Sequence, residues 1–133
     1  MRLKKFVVAG AATAALVGAI AVAPTANAYA SVIRSYVWWS GPDCIPVEIS
    51  RAPDGFGTDV GQACGGHSER TYVAVPGQFV GADPMPNDTT VTVGCQLWID
   101  GVLRLTDYAP PGDHHDVNCL RVLLPGAGPG TFA

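Results

Sequence analysis

Lysine is almost absent from this chain, and charged residues of either sign are scarce. The only lysines, Lys4 and Lys5, stand at the N-terminus, and charged residues make up 14% of the 133. A formal net charge of −3 offers no sign of the basic patch typical of nucleic-acid binding. The high apolar content excludes a wholly disordered chain, because 48% of the residues are hydrophobic. The length fits a single domain.

Long helices are also missing from the pattern. Sixteen glycines and eleven prolines interrupt the chain, which excludes a coiled coil. No segment longer than a turn or two has helical periodicity, and there is no internal repeat. After residue 23, no apolar run is long enough to span a bilayer. The sequence therefore predicts short strands joined by turns.

The first 28 residues have the parts of a secretory signal peptide. A positive head is followed by an uncharged run from Phe6 to Ala23, and then by the small residues of Ala26-Asn27-Ala28. We expect cleavage after Ala28; an uncleaved membrane anchor is the alternative, and only then would the protein contact the membrane. The exported part keeps five arginines against eleven acidic residues, a net charge of −6. The prediction is a secreted or extracytoplasmic protein of the cell envelope that binds no nucleic acid.

All four cysteines lie in the exported part, at Cys44, Cys64, Cys95 and Cys119. An even number in a short exported chain predicts two disulfides. Three pairings exist, and the one closing the shortest loops joins Cys44 to Cys64 and Cys95 to Cys119. A metal site is the rival interpretation, but no two cysteines have the C-x-x-C spacing.

Residues 29–124 are predicted to form a small antiparallel β-sandwich, with the immunoglobulin-like fold as one candidate topology. Residues 125–133 are expected to be a disordered tail. Glycine-rich and proline-rich stretches are expected to be turns or loops, among them 51–69 and 81–88. The predicted strands include Ser31 to Trp39, Ile45 to Ser50, Arg70 to Val75, Thr89 to Ile99, Val102 to Tyr108 and His115 to Leu124.

Asp100-Gly101 is a hairpin turn pair between two of these strands. A two-residue turn would pair Ile99 with Val102. A three-residue loop would instead pair Leu97 with Leu105, which keeps one face apolar. The sequence leaves both registers open.

One segment resembles the soluble domain of MmpS-type proteins, small mycobacterial membrane proteins that act as transport accessories. The resemblance rests on Val93-Gly94-Cys95-Gln96-Leu97-Trp98-Ile99-Asp100-Gly101-Val102 followed by Val117-Asn118-Cys119, and covers about residues 91–120. It implies an extracytoplasmic β-sandwich that works beside a lipid or siderophore exporter. Cys44 and Cys64 lie outside the matched segment.

Three tryptophans are candidate binding residues. In a strand, Trp38 and Trp39 point to opposite faces, so one belongs to the core and the other is open to a partner. Trp98 is out of phase with Cys95 and is a further candidate for exposure. Core packing or cover of a sheet edge is the alternative interpretation for Trp38 and Trp39.

Asp113-His114-His115-Asp116 is the candidate metal or acid–base cluster, with His114 and His115 as ligands. Neighbours on a strand point to opposite faces, so the four side chains converge only in a loop; a solvated turn is the alternative. His67-Ser68-Glu69 lacks the glycine that a nucleophile elbow needs, because Arg70 follows.

Two functions remain. The first is a non-enzymatic exported domain that binds an envelope protein or exporter, with no catalytic residues and no cofactor. The second is a small secreted metal-binding protein or enzyme that uses residues 113–116.

Overall fold

A computed structural model of the chain describes residues 30–87, 90–125 and 132. The described part contains nine β-strands and no helix, which confirms the predicted all-β class. Within that part, no helix is long and apolar enough to cross a membrane. The predicted signal peptide, residues 1–28, lies outside the described residues, as does most of the predicted tail.

The strands are short and separated by turns. In chain order they are β1 (Ser31–Trp39), β2 (Ile45–Ser50), β3 (Thr58–Ala63), β4 (His67–Ala74), β5 (Phe79–Val80), β6 (Ala82–Pro84), β7 (Val93–Ile99), β8 (Val102–Ala109) and β9 (Arg121–Val122).

The larger sheet has four antiparallel strands in the order β4-β1-β7-β8. Along β1 and β7, side chains alternate between the two faces of the sheet because a strand has a period of two. Ile33 and Val37 of β1 face inward, as do Cys95 and Leu97 of β7, and all four are at most 2% exposed. The intervening side chains form the outer face, which carries the candidate site.

The second sheet has the order β3-β2-β6, and a two-stranded sheet joins β5 to β9. Ile45 and Val47 of β2 and Ala82 of β6 belong to the same hydrophobic cluster as Ile33 and Leu97. The inner faces of the two larger sheets therefore share one core, consistent with the predicted sandwich.

The β7–β8 hairpin combines the two predicted registers. Asp100 and Gly101 both have positive φ, 51° and 82°, as a two-residue type I′ turn requires. Ile99 accordingly pairs with Val102. The register then shifts at Leu97, which lies opposite Leu105. This β-bulge places both leucines on the inner side.

Both predicted disulfides are present in the pairing that closes the shortest loops. Cys44–Cys64 is solvent-exposed and is called here the outer disulfide. Cys95–Cys119 is the core disulfide, because both residues are 0% exposed. The two bonds indicate an oxidising, extracytoplasmic setting.

Three sequence predictions are wrong. The stretches 51–69 and 81–88 were expected as turns or loops, but they contain β3, the start of β4 and β6. β3 has a mostly exposed pattern and no apolar alternation, so only its pairing with β2 identifies it as a strand. Conversely, the strand expected from His115 to Leu124 is reduced to β9, with Leu123 in an isolated bridge to Phe132.

Residues 113–120, called here the seam segment, run between the edges of the two larger sheets without forming a strand. The backbone N–H of Cys119 donates to the carbonyl of Ala82 at 3.0 Å. The backbone N–H of Asn118 donates to Asp107 of β8 at 3.0 Å, and its side-chain amide donates to Asp83 of β6 at 3.3 Å. Hydrogen bonds to the side chains of Asp107 and Asp83 thus hold Asn118 where the sequence predicted a strand with backbone pairing.

Candidate binding face of the four-stranded sheet

The outer face of the larger sheet collects polar and aromatic side chains in aligned rows. Strand register places Trp38 between His67 and Gly94, and Gly94 opposite Tyr108. The next row has Tyr36 between Glu69 and Gln96, and the third has Arg34 beside Trp98. We call this surface the aromatic face; its residues are Arg34, Tyr36, Trp38, His67, Glu69, Gln96, Trp98 and Tyr108.

Gly94 makes room for the ring of Trp38. A Cβ atom at position 94 would lie 2.1 Å from Cζ2 of Trp38, with two more ring atoms within 2.6 Å. The indole therefore occupies the space where a side chain of β7 would stand, directly over the backbone. This close approach holds the half-buried ring against the sheet.

Tyr36 links the rings of Trp38 and His67. The centroid of Tyr36 lies 5.6 Å from that of Trp38 with an interplanar angle of 27°, and His67 lies 6.2 Å from Tyr36. These separations are typical of favourable aromatic pairs. Tyr108, on the neighbouring strand, is 53% exposed. One half of the face is thus an aromatic platform open to solvent.

The other half of the face is polar and internally paired. Nε of Arg34 donates to Oε2 of Glu69 at 2.6 Å, and the guanidinium lies 5.3 Å from the ring centroid of Trp98. The indole N–H of Trp98 donates to Oε1 of Gln96 at 3.1 Å. Because Arg34 donates a hydrogen bond to Glu69, the pKa of Glu69 lies below its usual value and the carboxylate stays ionised.

The three candidate tryptophans have different environments. Trp38 and Trp98 are half-buried members of the aromatic face. Trp39 is 4% exposed and belongs to the core, where its indole N–H donates to the carbonyl of Asp43 at 2.8 Å. Tyr108, Arg34 and Gln96 were not predicted as binding residues, although Arg34 and Gln96 share the strand phase of Trp38 and Trp98.

The two candidate metal ligands lie in the seam segment. His114 has a φ of 60° and His115 directs Nε2 toward Oδ1 of Asp107 at 2.7 Å. The hydrogen bond to Asp107 raises the pKa of His115. Both histidines line a cavity of about 330 Å³ together with Val91, Val93 and other residues. Within the described residues, no three His, Cys, Asp or Glu side chains are grouped closely enough to hold a metal ion.

Asp83, which also contacts the seam segment, has a shifted pKa as well. Burial raises its pKa to about 6, and the nearby carboxylates of Asp116 and Glu48 add to the shift. Its Oδ1 atom is buried and has no hydrogen-bond partner among the described residues. Asn118 donates to Oδ2 only, so Oδ1 lacks a hydrogen bond that would offset the burial of the carboxylate.

Comparison with protein-family models, curated proteins and solved structures finds no match for this chain.

Proposed function

We propose that this protein is an exported, non-enzymatic binding protein of the cell envelope that contacts its partner through the aromatic face. One observation carries the proposal: Trp38, Tyr36 and Tyr108 lie together on one face of the larger sheet, next to ordered polar groups. Aromatic residues and arginine are enriched where proteins bind their partners.

Export rests on the signal-like N-terminus together with the two disulfides. An acidic exported chain without lysine has no electrostatic reason to bind nucleic acid or anionic lipid. The MmpS-like segment supports a transport-accessory version, in which the partner belongs to a lipid or siderophore exporter. The aromatic face includes Gln96 and Trp98 of that segment, and Gly94 of the same segment lies under the ring of Trp38.

Fractionation of the exporting cells tests the proposal. The wild type is expected in the envelope fraction, and Trp38→Ala is expected to move into the culture fluid because the platform is lost. Phe56→Ala is the matched control, since Phe56 is 62% exposed but lies between β2 and β3, outside the aromatic face. Sequencing the N-terminus of each fraction separates partner binding from retention by an uncleaved anchor.

A wild-type protein found only in the medium would contradict the proposal. So would equal envelope retention of the wild type and Trp38→Ala after cleavage of the N-terminal segment. Retention lost in both Trp38→Ala and Phe56→Ala would show that the aromatic face has no special part in it.

A further inference from the structure

We propose that the aromatic face binds a neutral polysaccharide chain. This inference rests on the proposed function and names the chemistry of the ligand. It follows from three properties of the face: an open aromatic platform, a preorganised set of planar polar groups, and local charge neutrality.

The platform suits the less polar face of a sugar ring. A pyranose presents several C–H groups on one side, and these carry a small positive charge that the negative face of an aromatic ring attracts. Trp38 is supported from below by the backbone at Gly94, so its ring is already ordered before a ligand arrives. Tyr36 and Tyr108 extend the same surface along and across the strands.

The polar half suits hydroxyl groups. Adjacent sugar hydroxyls both donate and accept hydrogen bonds, and planar guanidinium, carboxylate and amide groups can contact two of them together. Arg34 and Glu69 are held by each other, and Gln96 is held by Trp98. Binding therefore costs little side-chain entropy at these positions.

Charge selects a neutral ligand. Arg34 and Glu69 each have 42% side-chain exposure and neutralise one another within the face. The exported chain has a net charge of −6 and no lysine, so an anionic polysaccharide would be repelled by the molecule as a whole.

The arrangement of the polar groups favours a sugar chain over an apolar peptide or lipid. Protein interfaces usually have an apolar centre and a polar rim. Here the Arg34–Glu69 pair lies within the face, between the aromatic platform and the exposed valines Val32 and Val73. Gly94, which lies under Trp38, and Trp98 are four residues apart on β7, which is about 13 Å along a strand. That span exceeds one sugar ring, so the ligand is a chain.

Isothermal titration calorimetry of the purified protein tests the inference with neutral hexasaccharides: cellohexaose, chitohexaose, maltohexaose and mannohexaose. An oligogalacturonate serves as the anionic probe. We expect at least one neutral hexasaccharide to bind and the anionic one not to bind. Trp38→Ala should weaken binding by about tenfold, a typical loss for one aromatic stacking contact. Phe56→Ala should bind like the wild type.

Tyr108→Ala is the second variant, because Tyr108 is exposed and its loss leaves the core intact. It should also weaken binding, which keeps the test decisive if Trp38→Ala does not fold. The inference is overturned if no neutral hexasaccharide binds, if only the anionic one binds, or if folded face variants bind like the wild type. When envelope retention still depends on Trp38 but no neutral sugar binds, the proposed function stands and this inference fails.

Discussion

Gly81 is the position where a single methyl group should be most disruptive. It connects β5 to β6 with a φ of +92°, and a Cβ atom there would lie 1.9 Å from the carbonyl oxygen of Cys119. The obstacle is backbone that the core disulfide holds in place, so a side chain cannot rotate to relieve the overlap. Gly81→Ala must therefore push the seam segment away from β6.

The cost has two parts. A left-handed conformation costs an alanine about 1–2 kcal/mol. Moving the two backbones apart also endangers the hydrogen bond from the N–H of Gly81 to the hydroxyl of Tyr72, and the one from Cys119 to Ala82. At about 1 kcal/mol for each bond, the whole substitution should destabilise the protein by about 3–4 kcal/mol. That is a large share of a small domain's stability.

Urea unfolding with the disulfides intact measures this loss, and Gly112→Ala is its control. Gly112 has a φ of +77°, but nothing lies within 4 Å of the position that its Cβ would take. It should lose only the conformational part, about 1–2 kcal/mol. If Gly81→Ala is destabilised no more than Gly112→Ala, the close contact with the seam segment is not what requires glycine.

Three further predictions concern the seam and the crosslinks. Burial raises the pKa of Asp83 to about 6, so folding favours its protonated form and the stability of the protein falls as pH rises from about 4 to 6. Asp83→Asn should therefore be more stable than the wild type at pH 8 but not at pH 4. Equal urea midpoints for the variant and the wild type at pH 8 would contradict this. The hydrogen bond to Asp107 raises the pKa of His115, so this contact stabilises the fold below the pKa of the unfolded state, and the stabilisation is lost as pH rises through the pKa of the folded state. His115→Ala should lower the urea midpoint at pH 6 and leave it unchanged at pH 9. Equal losses of stability at both pH values would indicate that His115 acts through packing instead. The outer disulfide is exposed and the core disulfide is buried, so a mild reductant should reduce the outer disulfide first. Alkylation and peptide mapping should then find Cys44 and Cys64 labelled before Cys95 and Cys119. Earlier labelling of Cys95 and Cys119 would show that exposure does not decide the order of reduction.

The strands that were predicted well are those with one face in the core. Along β7, the buried Cys95, Leu97 and Ile99 alternate with the half-buried Gln96 and Trp98. Gly94 departs from the alternation and is buried because the ring of Trp38 covers it. Asp100-Gly101 also specified its turn by itself, because both positions need positive φ. In such segments, local chemistry and burial lead to the same assignment.

The strands that were missed owe their structure to their partner strands. β3 exposes Asp59, Val60, Gly61 and Gln62, and its pairing with β2 supplies what its own sequence does not. β6 includes Pro84, which lacks a backbone N–H and therefore argued against a strand. Neither case can be recognised from periodicity, because the stabilising contacts come from other parts of the chain.

The aromatic face was only half predictable for a related reason. Alternation places Trp38 and Trp39 on opposite faces, but it does not say by itself which ring is buried. Arg34 supplies that information, because it shares the phase of Trp38, while Ile33 and Val37 share the phase of Trp39. A charged residue on one side of the strand and aliphatic residues on the other identify the outer face.

Which outer residues meet one another depends on the register between strands, and the sequence of one strand does not contain it. Trp38 lies over Gly94 because β1 and β7 align at that pair. A shift of one residue would bring Trp38 opposite Cys95 or Val93 and turn the strands' apolar sets to opposite sides. The core therefore enforces the register that keeps Gly94 under the ring, and it thereby shapes the proposed binding platform on the other side of the sheet. Tight packing of the core therefore also fixes the positions of the side chains on the aromatic face. Substitutions of inner residues such as Val37 should weaken binding only as far as they disturb this alignment.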